Sequence, residues 1–324
     1  MIKIGLMGAG QVGQKHAAAI KRLPGAELAV VADLNQDRAR RAASGCGAEV
    51  VADYEQVLVM DLDAVINALP HHLHHRSSVA AARLNLHMLL EKPICLELMK
   101  AREIARLFRQ RNLKLMIGYV HRFRQEMLDA KALIDSRKLG DVTVAVDDFV
   151  APSGPDVPEW VWEREKAGGG ILMYGGIHGI DRLLWFFGSP ARRVYTVTRT
   201  YTGLSDVEDG LVASIEFENG GVASIAHNAP RYSSLRGWRT KLLGTVGTLE
   251  VNQGRSLTFS SDSVHFSRTY ERYDHFGRQL KEFVAAIEED RDPWISSDDG
   301  IRSLAVVLAM YESSQTREPV ELAA

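Results

Sequence analysis

A glycine-rich turn near the start of the chain has the spacing of a phosphate-binding loop. Gly8, Gly10 and Gly13 fit the pattern GxGxxG between an apolar run and an amphipathic segment. In a strand-to-helix turn, the first glycine permits the bend, the second lets the backbone approach a pyrophosphate, and the third allows close packing. Gln11 and Val12 then begin a helix whose free N–H groups face the phosphates. The turn predicts a dinucleotide site; the alternative is a glycine-rich turn without a ligand.

An acidic residue follows at the distance expected of a ribose ligand. Asp33 lies 20 residues after Gly13, at the end of the second predicted strand. A carboxylate there accepts hydrogen bonds from both ribose hydroxyls and repels a 2′-phosphate, which favours NAD. The nearby Asn35, Arg38 and Arg40 leave use of NADP open. The alternative role for Asp33 is the N-cap of the next helix.

A lysine directly follows another predicted strand. Glu91, Lys92 and Pro93 come immediately after the apolar run 87–90, which places Lys92 at the carboxyl end of a parallel sheet, where ligands of such folds bind. Partly desolvated beside a nicotinamide, its ammonium can hold a substrate hydroxyl, and a lowered pKa lets it join proton transfer. The alternative is a surface lysine paired with Glu91, and spacing alone does not decide between the two.

The elements that position these residues follow from alternating apolar runs and amphipathic segments. Buried strands are predicted over Ile2–Met7, Glu27–Ala32, Ala64–Ala68, His87–Leu90 and Lys114–Ile117. Helices are predicted over Gln11–Leu23, Gln36–Gly45, Leu73–Asn85 and Leu96–Gln110. Strands that alternate with helices form a parallel sheet. We therefore predict a doubly wound, Rossmann-type NAD(P)-binding domain over residues 1–120.

The second half of the chain has a different pattern. Strands are predicted over Val142–Phe149, Arg193–Thr200, Leu211–Phe217, Val222–Ala226, Thr240–Leu243 and Thr248–Val251, with a hairpin turn at 218–221. Helices are predicted over Phe123–Ser136, Gly175–Phe187, Phe276–Glu289 and Asp299–Thr316. The segment 152–158 is predicted as a loop. We predict an α+β domain over residues 121–324, built on a large, mostly antiparallel open sheet, for substrate binding and oligomerisation; its C-terminal helix can pack back on the first domain.

Composition narrows the class of protein. The chain has 324 residues, 46% of them hydrophobic and 25% charged, and a net charge of -2, which favours small molecules over nucleic acid or an anionic membrane as partners. Two cysteines are too few for a disulfide framework. There is no export-signal pattern, and apolar runs fall short of the roughly 18 residues that span a bilayer. We expect a cytoplasmic protein.

Six segments, taken in order, resemble one known family. They are Gly8–Gly13, Leu69–His74, Glu91–Pro93, Gly118–Phe123, Gly168–His178 and Gly244–Leu249. Their order is similar to that of the glucose-fructose oxidoreductase, inositol dehydrogenase and rhizopine-catabolism family (Gfo/Idh/MocA), and the resemblance covers essentially the whole chain.

The resemblance implies roles for particular residues. Lys92 corresponds to the family's active-site lysine, and His178 to the catalytic histidine after the glycine triplet Gly168–Gly170. An imidazole can remove a hydroxyl proton as hydride leaves the same carbon; the alternative is a capped or buried histidine. Family members commonly have Asp at the position of Tyr174, where a phenol either donates a proton or packs. Asp181, three residues after His178, either supplies a nearby carboxylate or is a solvated charge.

Further residues are expected around the cofactor and substrate. Leu69, His71 and His74 are expected to line the nicotinamide or ribose side of the pocket. Zinc binding by the histidines of 71–75 is not expected, because no spaced cysteine or acidic ligand completes a site. Tyr119 and Arg122 are expected to meet the substrate. Trp162, with Trp160 and Arg164, is expected either to form a wall for a sugar ring or to pack in the core.

Together these features predict an NAD(P)-dependent enzyme that moves hydride between the nicotinamide and a secondary alcohol of a sugar, cyclitol or related polyhydroxy compound. The alternatives are reduction of a dihydrodiol, an imine or a tetrapyrrole on the same scaffold, or a nucleotide-binding relative without turnover, which Tyr174 motivates. The resemblance also implies a homodimer or homotetramer formed through the open sheet of the second domain.

Overall fold

The computed structural model describes residues 1–152, 157–203, 206–231, 233–271 and 273–322. Residues 153–156 of the predicted loop therefore lie outside the described residues. The chain divides into two compact units. The first unit comprises Met1–Val120 and Asp274–Ile301, and the second comprises His121–Tyr273 and the chain from Arg302 onward.

The N-terminal stretch alternates strands and helices. Its strands are β1 (Ile2–Met7), β2 (Ala26–Ala32), β3 (Glu49–Val51), β4 (Ala64–Asn67), β5 (His87–Leu90) and β6 (Leu115–Ile117). Its helices are α1 (Gln11–Arg22), α2 (Gln36–Ala43), α3 (Tyr54–Leu58), α4 (His74–Arg83) and α5 (Leu98–Gln110).

The rest of the chain is richer in strands. Its helices are α6 (Gln125–Asp135), α7 (Arg164–Ala167), α8 (Ile177–Phe187), α9 (His275–Glu288) and α10 (Ser297–Thr316). Its strands are β7 (Val142–Val150), β8 (Ala191–Arg199), β9 (Gly210–Phe217), β10 (Val222–Asn228), β11 (Gly237–Gly244), β12 (Gly247–Asn252), β13 (Ser256–Ser261), β14 (His265–Thr269) and β15 (Val320–Glu321).

The first unit contains a six-stranded parallel sheet. The strand order is β3-β2-β1-β4-β5-β6, and every neighbouring pair is parallel. Ile4, Leu6, Ile66 and Leu89 are fully buried, as expected of strands covered on both faces. This arrangement confirms the predicted doubly wound sheet and brings the ends of β1, β4 and β5 to one edge of it.

The second unit contains a nine-stranded mixed sheet. Its order is β14-β13-β12-β11-β7-β10-β9-β8-β15, and only the β7–β10 pair is parallel among the described pairs. Buried and exposed residues alternate along β9, β10 and β11, so one face packs on the core. The predicted antiparallel character and the hairpin at 218–221, which joins β9 to β10, are confirmed.

Several short elements were not predicted. β3 is three residues long, and β13 and β14 are rich in serine, threonine and histidine. Their sequences lack the apolar runs from which strands are predicted. None of the helices within the described ranges has the length and apolarity needed to cross a bilayer.

Candidate active site

The glycine turn after β1 has three different steric environments. Gly8 has φ of +92°, and a Cβ there would lie 2.5 Å from the carbonyl oxygen of Ala68. A Cβ on Gly13 would lie 2.0 Å from the carbonyl oxygen of Gly8. At Gly10, the N-cap of α1, the described part of the chain places no heavy atom within 4 Å of such a Cβ. The two outer glycines are required by close packing, and the middle one leaves room for a ligand.

The start of α1 is therefore suited to a pyrophosphate. The helix begins at Gln11 and Val12, directly after Gly10, and its first turn carries no acidic residue. The N–H groups of this turn and the positive end of the helix dipole favour an anion. The turn thus fits the diphosphate of a dinucleotide, as its sequence predicted.

Asp33 connects the end of β2 to the glycine turn. One carboxylate oxygen accepts a hydrogen bond from the Ala9 N–H at 2.8 Å, and the other accepts one from the Asn35 N–H at 2.8 Å. The N-cap of α2 is Asn35, whose side chain accepts from the backbone of Asp37 and Arg38. The alternative role of Asp33 as the helix cap is therefore wrong, and its carboxylate lies beside the turn that would hold the phosphates.

Of the histidines after β4, His74 contacts two main-chain carbonyl groups. His74 is fully buried, with Nδ1 2.7 Å from the carbonyl oxygen of Pro93 and Nε2 2.8 Å from that of Leu69. Burial lowers the pKa of His74, against the opposing effect of the two carbonyl contacts. His71 is also buried, and its ring centroid lies 5.6 Å from that of His74. His74 therefore ties the loop after β4 to the loop that follows Lys92.

Lys92 is held in a low-polarity environment at the end of β5. It keeps a minor part of its surface open to solvent, and burial lowers its pKa to about 8, against the charge of Glu91, which raises it. Glu91 itself lies 2.7 Å from His16 Nε2 in a buried pair. Glu91 therefore pairs with His16, and its charge also acts on Lys92. A pKa near neutrality suits a group that orients a hydroxyl and exchanges a proton.

Gly118 allows Glu91 to take this position. A Cβ on Gly118 would lie 2.9 Å from Glu91 Oε2. The strand β6 ends one residue earlier, so the glycine at its end leaves space for the carboxylate that reaches His16. Tyr119 follows and is fully buried.

In the second unit, the glycine triplet is packed against Glu208. The two carboxylate oxygens of Glu208 accept hydrogen bonds from the backbone N–H groups of Gly170 at 2.9 Å and Leu172 at 3.0 Å. Tyr311 donates its hydroxyl to the same carboxylate at 2.8 Å. A Cβ on Gly169 would lie 1.9 Å from the Tyr311 hydroxyl oxygen. The triplet is therefore a site of close packing that fixes the start of the following helix.

Tyr174 and His178 lie in the helical segment that begins there. Leu172–Gly176 form a π-helical turn that runs directly into α8, and such turns are frequent at functional sites. His178 is 8% exposed, and its ring stacks on that of His121 with centroids 4.0 Å apart. The Tyr174 ring meets that of Trp160 edge to face at 6.1 Å.

Arg122 and Asp181 form a buried ion pair. Arg122 Nε donates to Asp181 Oδ2 at 3.0 Å, and Nη2 donates to Oδ1. Their side chains are 6% and 2% exposed. Because each satisfies the other, this pair joins the segment after β6 to α8. The substrate contacts predicted for both residues stay predictions.

The tryptophan segment precedes the glycine triplet in the chain. Trp160 and Trp162 are partly exposed, and Arg164 donates its backbone N–H and its guanidinium to Asp206.

Among the residues that the structure describes, no group of three or more His, Cys, Asp or Glu side chains is arranged to hold a metal ion. His75, from the histidine run, lies 2.8 Å from Glu103.

Comparison with known proteins identifies the family. Residues 2–119 match the model described as the oxidoreductase family, NAD-binding Rossmann fold, and residues 131–322 match that of the oxidoreductase family, C-terminal alpha/beta domain. The chain belongs to the Gfo/Idh/MocA oxidoreductase family. The predicted family, enzyme class and NAD cofactor are thereby confirmed.

Relatives in this family are distant but match over their full length. Inositol 2-dehydrogenase of Rhizobium meliloti is 25% identical over 336 residues, which cover 99% of this chain and 99% of that protein. D-xylose 1-dehydrogenase (NADP(+)) 2 of Haloferax volcanii is 26% identical over 98% of this chain and 99% of that protein. The crystal structure of an oxidoreductase domain protein from Kribbella flavida has a TM-score of 0.91 at 22% identity and covers 100% of this chain and 99% of that one.

The structure adds residues that the sequence analysis missed. His121 stacks on His178, Glu208 holds the glycine triplet, and His16 binds Glu91. Each makes contacts with a residue far away in the chain, so no local spacing pointed to it. Only His121 had a local signal in the sequence: it lies directly beside Arg122, which the family resemblance had already pointed out.

Proposed function

We propose that the chain transfers hydride between a secondary alcohol of a sugar, cyclitol or related polyhydroxy compound and NAD. The observation that carries the proposal is Lys92, whose pKa is lowered to about 8 at the carboxyl end of β5 in an NAD-binding domain. Relatives named for inositol and D-xylose support a polyhydroxy substrate.

The residues present fit a nicotinamide dinucleotide. The N–H groups at the start of α1 would hold the diphosphate, with Gly10 leaving room for it, and Asp33 would hold the ribose hydroxyls. When bound, the nicotinamide accepts or gives the hydride. Because Asp33 carries a negative charge where a 2′-phosphate would lie, we propose a preference for NAD over NADP.

The protein residues orient the substrate and move its proton. Lys92 would hold the reacting hydroxyl with its ammonium, and His178 would take the hydroxyl proton as base. Tyr174, at the position where family members commonly have Asp, would contact a further hydroxyl through its phenol. Trp162, which is partly exposed, would line the substrate. Tyr119, predicted to meet the substrate, is fully buried and would instead contribute through packing. Arg122 and Asp181, which bind each other, would hold α8 in place.

The outer face of the second unit's sheet is proposed as a surface for self-association. It carries exposed apolar side chains on adjacent strands, namely Val144, Val146, Tyr195, Val197, Val212, Val222 and Leu243. An apolar face of this kind is normally covered. We propose that it pairs with a second copy of the chain in a homodimer or homotetramer.

The two cysteines fit a reducing compartment. Cys46 and Cys95 are both free thiols, and burial raises the pKa of Cys95 to about 11, which makes its thiol unreactive. We therefore propose the cytoplasm as the location, which fractionation of the source cells would check.

A substrate screen tests the proposed activity. NADH formation is followed at 340 nm over a panel of sugars, inositols, sugar acids and a dihydrodiol, and in parallel NADPH formation with NADP. A cyclic imine can only be reduced, so it is tested by the consumption of NADH. Oxidation of a polyol with NAD supports the proposal. Turnover only of the dihydrodiol or the imine contradicts it, as does tight NADH binding without oxidation of any compound, which would favour a relative without turnover.

A further inference from the structure

His121 lies against the proposed base. It is part of the short helical turn Val120–Phe123, and its ring stacks on that of His178 at 4.0 Å with an angle of 23° between the planes. The rings of His121 and Trp238 meet edge to face, with centroids 5.3 Å apart. His121 is therefore held between the proposed base and a buried aromatic side chain.

Both ring nitrogens of His121 face hydrogen-bond donors. Arg182 Nη2 lies 3.4 Å from Nδ1, and Gln253 Nε2 lies 3.3 Å from Nε2. The oxygen of the Gln253 amide accepts a hydrogen bond from Arg182, which fixes the amide nitrogen toward His121. A neutral ring accepts a hydrogen bond at one of its two nitrogens, whereas an imidazolium carries N–H on both and would meet a donor at each. This geometry favours the neutral ring.

Arg182 is itself fixed by a buried carboxylate. Its Nη1 donates to Thr240 Oγ1 at 2.7 Å and lies 3.3 Å from Asp147 Oδ2. Burial raises the pKa of Asp147, but the hydrogen bond from His227 and the charge of Arg182 outweigh burial and hold it at about 2. Asp147 is therefore an anion throughout the neutral range. The other charged groups that act on Arg182 are Arg124, Asp181 and Glu126.

Two glycines of the His178 segment let this network approach. A Cβ on Gly176 would lie 2.8 Å from His227 Nδ1, and one on Gly179 would lie 2.8 Å from Asp147 Oδ1. Asp147 also accepts hydrogen bonds from His227 at 2.8 Å and from Trp238 at 2.7 Å. The helix that carries His178 is thus packed directly on the groups that fix Arg182.

We propose that His121 is a positioning residue: a neutral aromatic partner for His178, kept neutral by Arg182 and Gln253. The proposal rests on the proposed role of His178 as base. When His178 takes a proton, a neutral stacked ring offers its π face to the new cation. A charged ring at the same distance would repel it. Arg182 and Gln253 therefore act on the base through His121.

Kinetics of matched variants test the positioning role. His121→Phe keeps a ring and is expected to retain kcat within about 3-fold, whereas His121→Ala is expected to lose about 10-fold or more and to shift the acidic limb of the pH profile of kcat/KM. His265→Ala, an exposed histidine of the same unit, is the control. Equal kcat and an unchanged pH profile for His121→Ala and the wild type would overturn the proposal.

A second measurement does not depend on turnover. Imidazole resonances assigned by comparison with His121→Phe are followed by NMR as the pH is lowered. His121 is expected to stay neutral below its ordinary pKa of about 6.5, and Gln253→Glu, which places an acceptor at Nε2, is expected to raise its pKa. Asn252→Asp adds the same charge one residue away and is the control. A wild-type His121 that titrates at or above its ordinary pKa contradicts the proposal.

Two single variants separate the role of His178 from that of His121. If His178→Ala keeps full turnover, the proposed role of His178 is wrong. If His178→Ala loses turnover while His121→Ala keeps the wild-type kcat and pH profile, only the role of His121 is wrong.

Discussion

A Cβ added to Gly170 would lie 1.8 Å from the carbonyl oxygen of Glu208. The same glutamate accepts the Gly170 N–H through its side chain and the Ile171 N–H through its backbone carbonyl. The third glycine of the triplet is therefore required by its contact with a residue 38 positions away. Glu208 holds the chain just before Tyr174 and His178, so it sets the position of both.

Glu208→Gln tests this role. The Glu208 carboxylate accepts hydrogen bonds from two backbone N–H groups and from the Tyr311 hydroxyl. In Gln the amide nitrogen is itself a donor, so it would face at least one of these three donors. We expect a loss of about 1–3 kcal/mol in the free energy of unfolding, measured by urea denaturation, together with a lower kcat. Glu218→Gln, in the exposed hairpin turn, is the control. If both variants are as stable as the wild type, Glu208 does not hold the triplet.

The contrast between the glycine turn and the triplet shows what sequence can predict. Gly8, Gly10 and Gly13 act within a single turn, so their spacing carried the prediction of a dinucleotide site. The packing of Gly170 depends on Glu208 and Tyr311, which come from other parts of the chain. A family resemblance located the triplet, but only the structure gave its physical reason.

The strands and the surroundings of His178 also divide into features that local sequence predicts and features that depend on distant contacts. Apolar runs predicted β1, β2, β4, β5 and β6, whereas the short or polar strands β3, β13 and β14 are stabilised by pairing with neighbours. His121 and Arg182 are 61 residues apart in the chain. Their contact depends on the fold of the second unit, which no local pattern encodes.

Asp33→Ser tests the cofactor preference. The substitution removes the charge that would repel a 2′-phosphate and the acceptor of the Ala9 N–H. We expect the KM for NAD to rise by about 10-fold or more and the ratio of kcat/KM for NADP over NAD to increase. Asp37→Ser, an exposed residue in the first turn of α2, is the matched control. A variant with the wild-type ratio would exclude Asp33 from cofactor selection.

Lys92→Met is expected to stabilise the protein in a pH-dependent way. The folded-state pKa of Lys92 is about 8, below the ordinary 10.5. Burial of the ammonium therefore destabilises the folded state, and this destabilisation is complete below pH 8. As the pH rises from 8 to about 10.5, the folded state loses its proton first and the destabilisation disappears.

Urea denaturation at several pH values measures this effect. We expect the variant to exceed the wild type by about 2 kcal/mol at pH 7 and the difference to shrink toward pH 10. Lys100→Met, which removes an exposed lysine, is expected to show no such trend. A difference that grows with pH would mean that the Lys92 ammonium is stabilised in the folded state.

Val212→Asp tests the proposed self-association. Val212 is 63% exposed on β9 and lies opposite Val197 on β8 and Ala226 on β10. A charge at the centre of this face is expected to lower the solution mass, measured by light scattering, to that of a 35.9 kDa monomer. Val264→Asp, an exposed valine outside the strands, is the control. An unchanged oligomer in Val212→Asp would contradict association through this face.

Lys92 and His178 are the two residues on which the proposed hydride transfer depends most. With NAD and a polyol that the wild type oxidises, we expect kcat of Lys92→Ala and of His178→Ala to fall by about 100-fold or more, while Lys100→Ala and His265→Ala keep the wild-type rate. NADH binding, followed by fluorescence, is expected to survive in His178→Ala, which excludes loss of cofactor binding as the cause. Full turnover in both Lys92→Ala and His178→Ala would contradict the proposed site.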